Sequence, residues 1–148
     1  MSIYADTGFI SSVYAPDANT AHATARIEQI DTSIDFSWLN QVEFRNALRL
    51  RVFRKEITAG QRDASLNWLL SDLRAGVFRH ADPPHPDVII ETERLSAVYT
   101  EKLGNRSLDV LHVAMALSLG CETFLSFDKR QIKLAKAAGL KVPAHSGH

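Results

Sequence analysis

The sequence predicts an α/β fold, a parallel sheet with helices on both faces, and three observations carry that prediction. Short apolar runs of strand length alternate with segments of helical periodicity along the whole chain. The connections between them are long enough for right-handed crossovers, which make sequential strands parallel. Two of the runs, 3–5 and 123–127, end directly on an acid, Asp6 and Asp128, where open α/β sheets present their ligand side. With 148 residues, 45% hydrophobic and 23% charged, the chain has the composition of one globular domain with a real core. No repeat, linker or low-complexity segment interrupts it, so a single domain is expected over 1–143, with 144–148 as a flexible tail.

The first strand is followed by Thr7-Gly8, turn and helix-start chemistry, and then by the apolar run 9–14. Pro16 to Thr20 is a break, and Asn19 or Thr20 can cap a helix reaching about Ile30 with Ala23, Ile27 and Ile30 on one face. A short strand is expected within 31–36, then a helix over 39–55 with Leu39, Val42, Ala47 and Leu50 inward. Glu43 lies four residues from both Leu39 and Ala47, so helical spacing sets it on that apolar face. Thr58 and Gln61 form a capping box for a helix with Leu66, Leu69, Leu70 and Leu73 inward and Gly76 as its stop. A weak strand at 77–81 closes in the Asp82-Pro83-Pro84-His85-Pro86 turn. Pro86 suits the first turn of a helix in which Val88, Thr92, Leu95, Tyr99 and Leu103 recur, and Gly104-Asn105 ends it. Ser107 is expected to cap a helix over 108–119 that is apolar on nearly every side and therefore buried. After the strand at 123–127 come a helix over 129–138 and a final edge strand at 140–142.

Charge excludes little. Seventeen acidic and seventeen basic residues cancel. Arg45, Arg49, Arg51, Arg54 and Lys55 crowd one helix, and Lys129, Arg130, Lys133 and Lys136 another; such clusters serve as solvated faces or as a phosphate-tracking surface. No run approaches the roughly 18 apolar residues of a membrane span, and the N-terminus lacks the basic segment of a signal peptide, so a cytoplasmic protein is expected. The single Cys121 has no intrachain disulfide partner and reads as a small residue leading into a strand.

The chemistry lies in four acids. Asp6 can simply cap a helix, and Asp109, in a first turn, is favoured there by the helix dipole alone. Glu43 on an apolar face has no such excuse. If Asp6, Glu43, Asp109 and Asp128 converge, their repulsion must be answered: two carboxylates about 6 Å apart at an effective dielectric of about 20 repel by roughly 3 kcal/mol. Such a cluster takes up protons or binds cations. Oxygen ligands without Cys or a paired His select Mg²⁺ or Mn²⁺ over Zn²⁺. That donor set suits phosphodiester hydrolysis, and the chain has no serine nucleophile elbow, phosphate-binding Gly-Lys loop or dinucleotide glycine motif to compete.

The runs Tyr4-Ala5-Asp6-Thr7, Asn40-Gln41-Val42-Glu43, Arg106 through Leu117 and Leu125-Ser126-Phe127-Asp128-Lys129-Arg130, in this order, resemble a PIN-domain ribonuclease. Within that family the chain is most similar to the VapC-type toxins of bacterial toxin–antitoxin pairs. The resemblance implies a three-layer α/β/α sandwich around a parallel sheet of four or five strands. It also implies Mg²⁺- or Mn²⁺-dependent endonucleolytic cleavage of RNA, a homodimer and a cognate antitoxin that blocks the site. Carried across, Asp6, Glu43, Asp109 and Asp128 hold the metal, with Thr7 and Ser126 as hydrogen-bonding support. Gly8 departs from the Ser or small polar residue more usual there. Arg49, Arg54, Lys129 and Arg130 are the candidate RNA contacts. His112, three residues after Asp109, lies within reach of the site, but a buried histidine satisfied by a backbone carbonyl is the expectation; Trp38 and Trp68 can stack on bases, but packing in the core or at a dimer face is expected of them. His145 and His148 carry little weight as metal ligands. The alternatives are a housekeeping RNA-processing or flap nuclease of the same fold, a non-catalytic nucleic-acid-binding module whose acids only cap helices, and a signalling receiver domain. The last needs an acid at the end of a central strand, where residues 48–73 read as helix.

Overall fold

The computed structural model describes residues 2–144. Four three-residue strands, β1 (Ile3–Ala5), β2 (Ile34–Phe36), β3 (Phe78–His80) and β4 (Thr123–Leu125), pair in the order β3-β2-β1-β4, every pair parallel. Ile3 stands opposite both Ile34 and Thr123 in this register. The expected edge strand at 140–142 shrinks to one parallel bridge between Thr123 and Lys141. Pro143, which lacks an N–H and disfavours regular pairing, follows at once. The tail call at 145–148 falls outside the described residues.

Strand alternation sorts the core into two layers. Ile3, Ala5, Ile34, Phe36 and Leu125 face a cluster built with α1 (Thr7–Tyr14), α2 (Thr20–Glu28), α3 (Trp38–Phe53) and α4 (Ala59–Ala75). Tyr4 and Phe124 face the other cluster, built with α5 (His85–Leu95), α7 (Ser107–Ser118) and α8 (Lys129–Ala137). The helix expected from Pro86 to Leu103 is continuous, with a π-helical turn (Ser96–Thr100) between α5 and the short α6 (Glu101–Leu103), and left-handed Gly104 ends it. The result is a three-layer α/β/α sandwich.

Two local expectations need correction. In α3, Val42 and Leu50 are 59% and 40% exposed, whereas Leu39, Asn40, Phe44 and Leu48 are buried. The rotation is set at the helix start: Ser37 and Asn40 close a capping box, and the Asn40 amide also donates to Ala5 O at 3.2 Å. Anchoring position 40 to the sheet turns 44 and 48, at four-residue spacing, inward with it. In α7, Arg106 rather than Ser107 is the cap residue, and its N–H donates to Asp109 Oδ2 at 3.0 Å. The Thr58–Gln61 box and the left-handed Gly76, at φ 84°, bound α4 as the sequence indicates.

Asp35 was not singled out from sequence, yet it is buried on β2. Arg79 on the neighbouring β3 donates to its Oδ1 at 2.8 and 3.0 Å, and the Cys121 thiol donates to its Oδ2 at 3.2 Å. Burial first, then that carboxylate, pushes the Cys121 thiol up to about 12.

Candidate functional site

β1 and β4 are sheet neighbours, and the residues following each strand arrive together at its carboxyl edge. The Asp6 N–H extends the pairing, donating to Leu125 O at 3.0 Å. Its side chain then caps α1, with Oδ1 accepting from Phe9 N at 2.8 Å, while Oδ2 accepts a short bond from the Ser126 hydroxyl. Ser126 Oγ in turn accepts from Asp128 N at 3.0 Å. Asp128 caps α8, its Oδ1 receiving Arg130 N at 2.8 Å and Gln131 N at 3.2 Å.

Asp109 comes from the first turn of α7 and Glu43 from α3. Asp109 Oδ1 accepts from the Gln131 amide at 3.2 Å, which ties α7 to α8. Glu43 Oε1 accepts from Thr7 Oγ1 at 2.8 Å and meets His112 Nε2 at 2.5 Å. All four acids line one cavity of about 720 Å³, together with Asp17 and Arg106. Gly8 lies on the same wall, and a Cβ there would meet Asp6 Oδ1 at an ordinary 3.7 Å.

The electrostatics differ from acid to acid. Burial pushes the Asp6 carboxyl up to about 6; Ser126, His112 and the Phe9 N–H oppose the rise, and Asp128 adds to it. Burial also acts to raise Glu43, but the His112 hydrogen bond and charge, with Thr7, outweigh it and leave Glu43 below its ordinary value. The N-termini of α1, α7 and α8 surround the acids, and their positive dipole ends favour negative charge there.

His112 contradicts its expected role. It is buried, but its partners are two side chains, Glu43 at Nε2 and the Tyr4 hydroxyl at Nδ1, 2.8 Å away, rather than a backbone carbonyl. No sequence spacing links residues 4, 43 and 112; only packing of α3 and α7 on β1 does. Gln131 and Arg106 were likewise not among the predicted site residues. Arg106 Nε stands 3.9 Å from Asp109 Oδ2 on a largely exposed side chain, so the pair is weak. Of the candidate RNA contacts, Lys129 and Arg130 are exposed at the start of α8 beside Asp128, outside the cavity wall. Arg49 lines a separate cleft with Arg45 and Arg62, and Arg54 follows the end of α3. Trp38 and Trp68 are 40% and 52% exposed, Trp68 meeting Tyr14 edge-on. They are not core residues.

The donor set facing the cavity is all oxygen, which is hard-cation chemistry. Among the described residues no three His, Cys, Asp or Glu side chains are gathered tightly enough to cage a bare ion. Mg²⁺ commonly keeps several of its waters and takes only one or two carboxylates directly, so a roomy acid-lined cavity fits a partly hydrated ion.

Among the described residues no helix is long and apolar enough to cross a membrane. A search of curated proteins finds no match. Solved structures do share the fold. VapBC2 from Rickettsia felis, bound to a DNA fragment from its promoter, aligns with a TM-score of 0.71 at 15% identity, covering 99% of this chain and 100% of that one. VapC20 of Mycobacterium tuberculosis, a Sarcin-Ricin loop cleaving toxin, gives 0.67 at 18%, covering 95% and 97%. FitAcB from Neisseria gonorrhoeae gives 0.64 at 19%, covering 96% of each. The family model for the PIN domain matches residues 3–137, and with that span, sheet order and site architecture the chain belongs to the PIN domain family.

Proposed function

We propose that the chain is a divalent-metal-dependent endoribonuclease and the toxin of a toxin–antitoxin pair. The observation that carries this reading is the meeting of four carboxylates, from four separate elements, on one oxygen-lined cavity at the carboxyl edge of the sheet. In this reading Asp6, Glu43, Asp109 and Asp128 hold Mg²⁺ or Mn²⁺, and Thr7 and Ser126 fix the orientation of Glu43 and Asp6 by donating to them. A bound ion of this kind activates water and neutralises charge developing on the scissile phosphate. The protein supplies the rest. Helix N-termini and Arg106 at the wall attract the phosphate, Lys129 and Arg130 extend that attraction beyond the rim, and Arg49 with Arg54 offers a more distant track for the RNA backbone. The toxin assignment is supported by the shared fold with VapC20, itself a Sarcin-Ricin loop cleaving toxin, and with VapBC2. A homodimer and an antitoxin that covers the cavity complete the proposal.

The test is cleavage of total cellular RNA by purified protein with Mg²⁺ or Mn²⁺, against EDTA, Asp6→Asn and Asp109→Asn. Metal-dependent cleavage that falls by orders of magnitude in both variants, while both remain folded, is the expected result. The non-catalytic reading has one observation in its favour: Asp6 and Asp128 already serve as helix caps. Full cleavage in both variants overturns the role given to these acids, and no cleavage by the folded wild type under either metal decides for the non-catalytic module.

A further inference from the structure

The Glu43 carboxylate is held by a buried chain of polar side chains that begins at the start of α3. Asn40 Oδ1 accepts from Ser37 N at 2.9 Å, and Ser37 Oγ lies 3.0 Å from the Tyr4 hydroxyl. With that oxygen of Asn40 already served by the Ser37 N–H, the Ser37 hydroxyl donates to the Tyr4 oxygen. The Tyr4 hydroxyl in turn donates to His112 Nδ1, 2.8 Å away. With Nδ1 accepting, the imidazole proton stands on Nε2, which donates to Glu43 Oε1 at 2.5 Å. Thr7, itself held by the Asn40 amide at 3.2 Å, donates to the same Oε1. Two fixed donors therefore converge on one oxygen of Glu43, and Oε2 remains for the cavity.

Tyr4, Ser37 and Asn40 are fully buried and His112 is 2% exposed. None of them can meet an RNA in the cavity. Such a network is costly to bury unless each member is satisfied, and every link here ends on Glu43 or on the backbone of β1. We propose that His112, oriented by Tyr4, is a positioning residue that locks the Glu43 carboxylate in the direction the cation site requires. This rests on the functional reading above, because Glu43 is taken as one of the groups facing the metal. Outer partners of this kind typically change metal affinity or activity by about 10–100-fold when removed.

Two buried polar substitutions separate positioning from mere core filling. In His112→Gln the terminal amide nitrogen falls near the place of Nε2 and still donates to Glu43; in His112→Asn the amide reaches only toward Tyr4. The primary measurement is Mn²⁺ affinity by calorimetry, followed by the split between kcat and KM for RNA cleavage. His112→Asn is expected to weaken Mn²⁺ by roughly tenfold or more and to lower kcat with KM little changed, whereas His112→Gln stays within about threefold of wild type. Equal behaviour of the two variants, in either direction, overturns the proposal. If wild-type protein binds no Mn²⁺, the metal reading of the cavity fails, and crystal structures of wild type and His112→Asn then decide the positioning role separately. A displaced Glu43 carboxylate in His112→Asn supports it, and an unmoved one overturns it.

Discussion

Asp6 is a buried carboxyl at the carboxyl end of β1. Its carboxyl is pushed up to about 6 from an ordinary 3.8, so between those values the folded protein binds more protons than the unfolded chain. Stability therefore falls as pH rises through that window, and the penalty is absent below about pH 4 and fully developed above about pH 6. In EDTA, Asp6→Asn should remove it, giving a variant roughly 2–3 kcal/mol more stable than wild type at pH 7.5 and no more stable at pH 4. Thermal denaturation across pH 4–8 checks this, and a wild type whose stability rises through that range relative to the variant contradicts it. Sequence reasoning picked Asp6 for the right location, after a strand, but burial decides the size and sign of its shift. The same limit applied to His112, whose partners lie 69 and 108 positions away in the chain.

At the scale of elements, local chemistry was read well where it acts over a few residues. The Thr58–Gln61 box and Gly76 bound α4 because capping depends only on neighbours. At φ 84° Gly76 has open space around it, so a side chain there meets backbone strain rather than a clash. Gly76→Ala should cost about 1–2 kcal/mol, lowering Tm by roughly 2–8 °C, measured against a Gly-to-Ala control in an exposed helix position. A neutral effect would mean that the helix end relaxes out of the left-handed conformation. The inward face of α3 was misread because a stripe of apolar residues can be drawn at more than one rotation. Leu39-Val42-Leu50 and Leu39-Phe44-Leu48 both suit a helix, and the tie from Asn40 to β1 selects the second.

For the whole molecule, the alternation of Ile3, Tyr4 and Ala5 already separates the two cores that enclose the sheet. Trp38 and Val42 on α3, with Ile89 and Ile90 on α5, are apolar and exposed, and the neighbouring Leu39 and Val88 belong to one buried cluster. A homodimer should use such surface. Sedimentation is expected to show a dimer that Ile89→Glu with Ile90→Glu shifts toward monomer without unfolding, and a monomeric wild type would count against the proposed assembly.

Pattern and spacing by themselves determined the class of fold, the capped boundaries of α4, and the four acids worth watching, because periodicity, capping and composition act within a few residues of the chain. Only the tertiary structure decided that β1 and β4 stand side by side, that the acids share one cavity, and that Glu43 is gripped by His112 and Thr7. It also decided how far Asp35 and Cys121 are buried together. Those outcomes depend on which elements pack against which, and on how much water that packing removes from each charge. Neither quantity is a property of any short stretch of sequence.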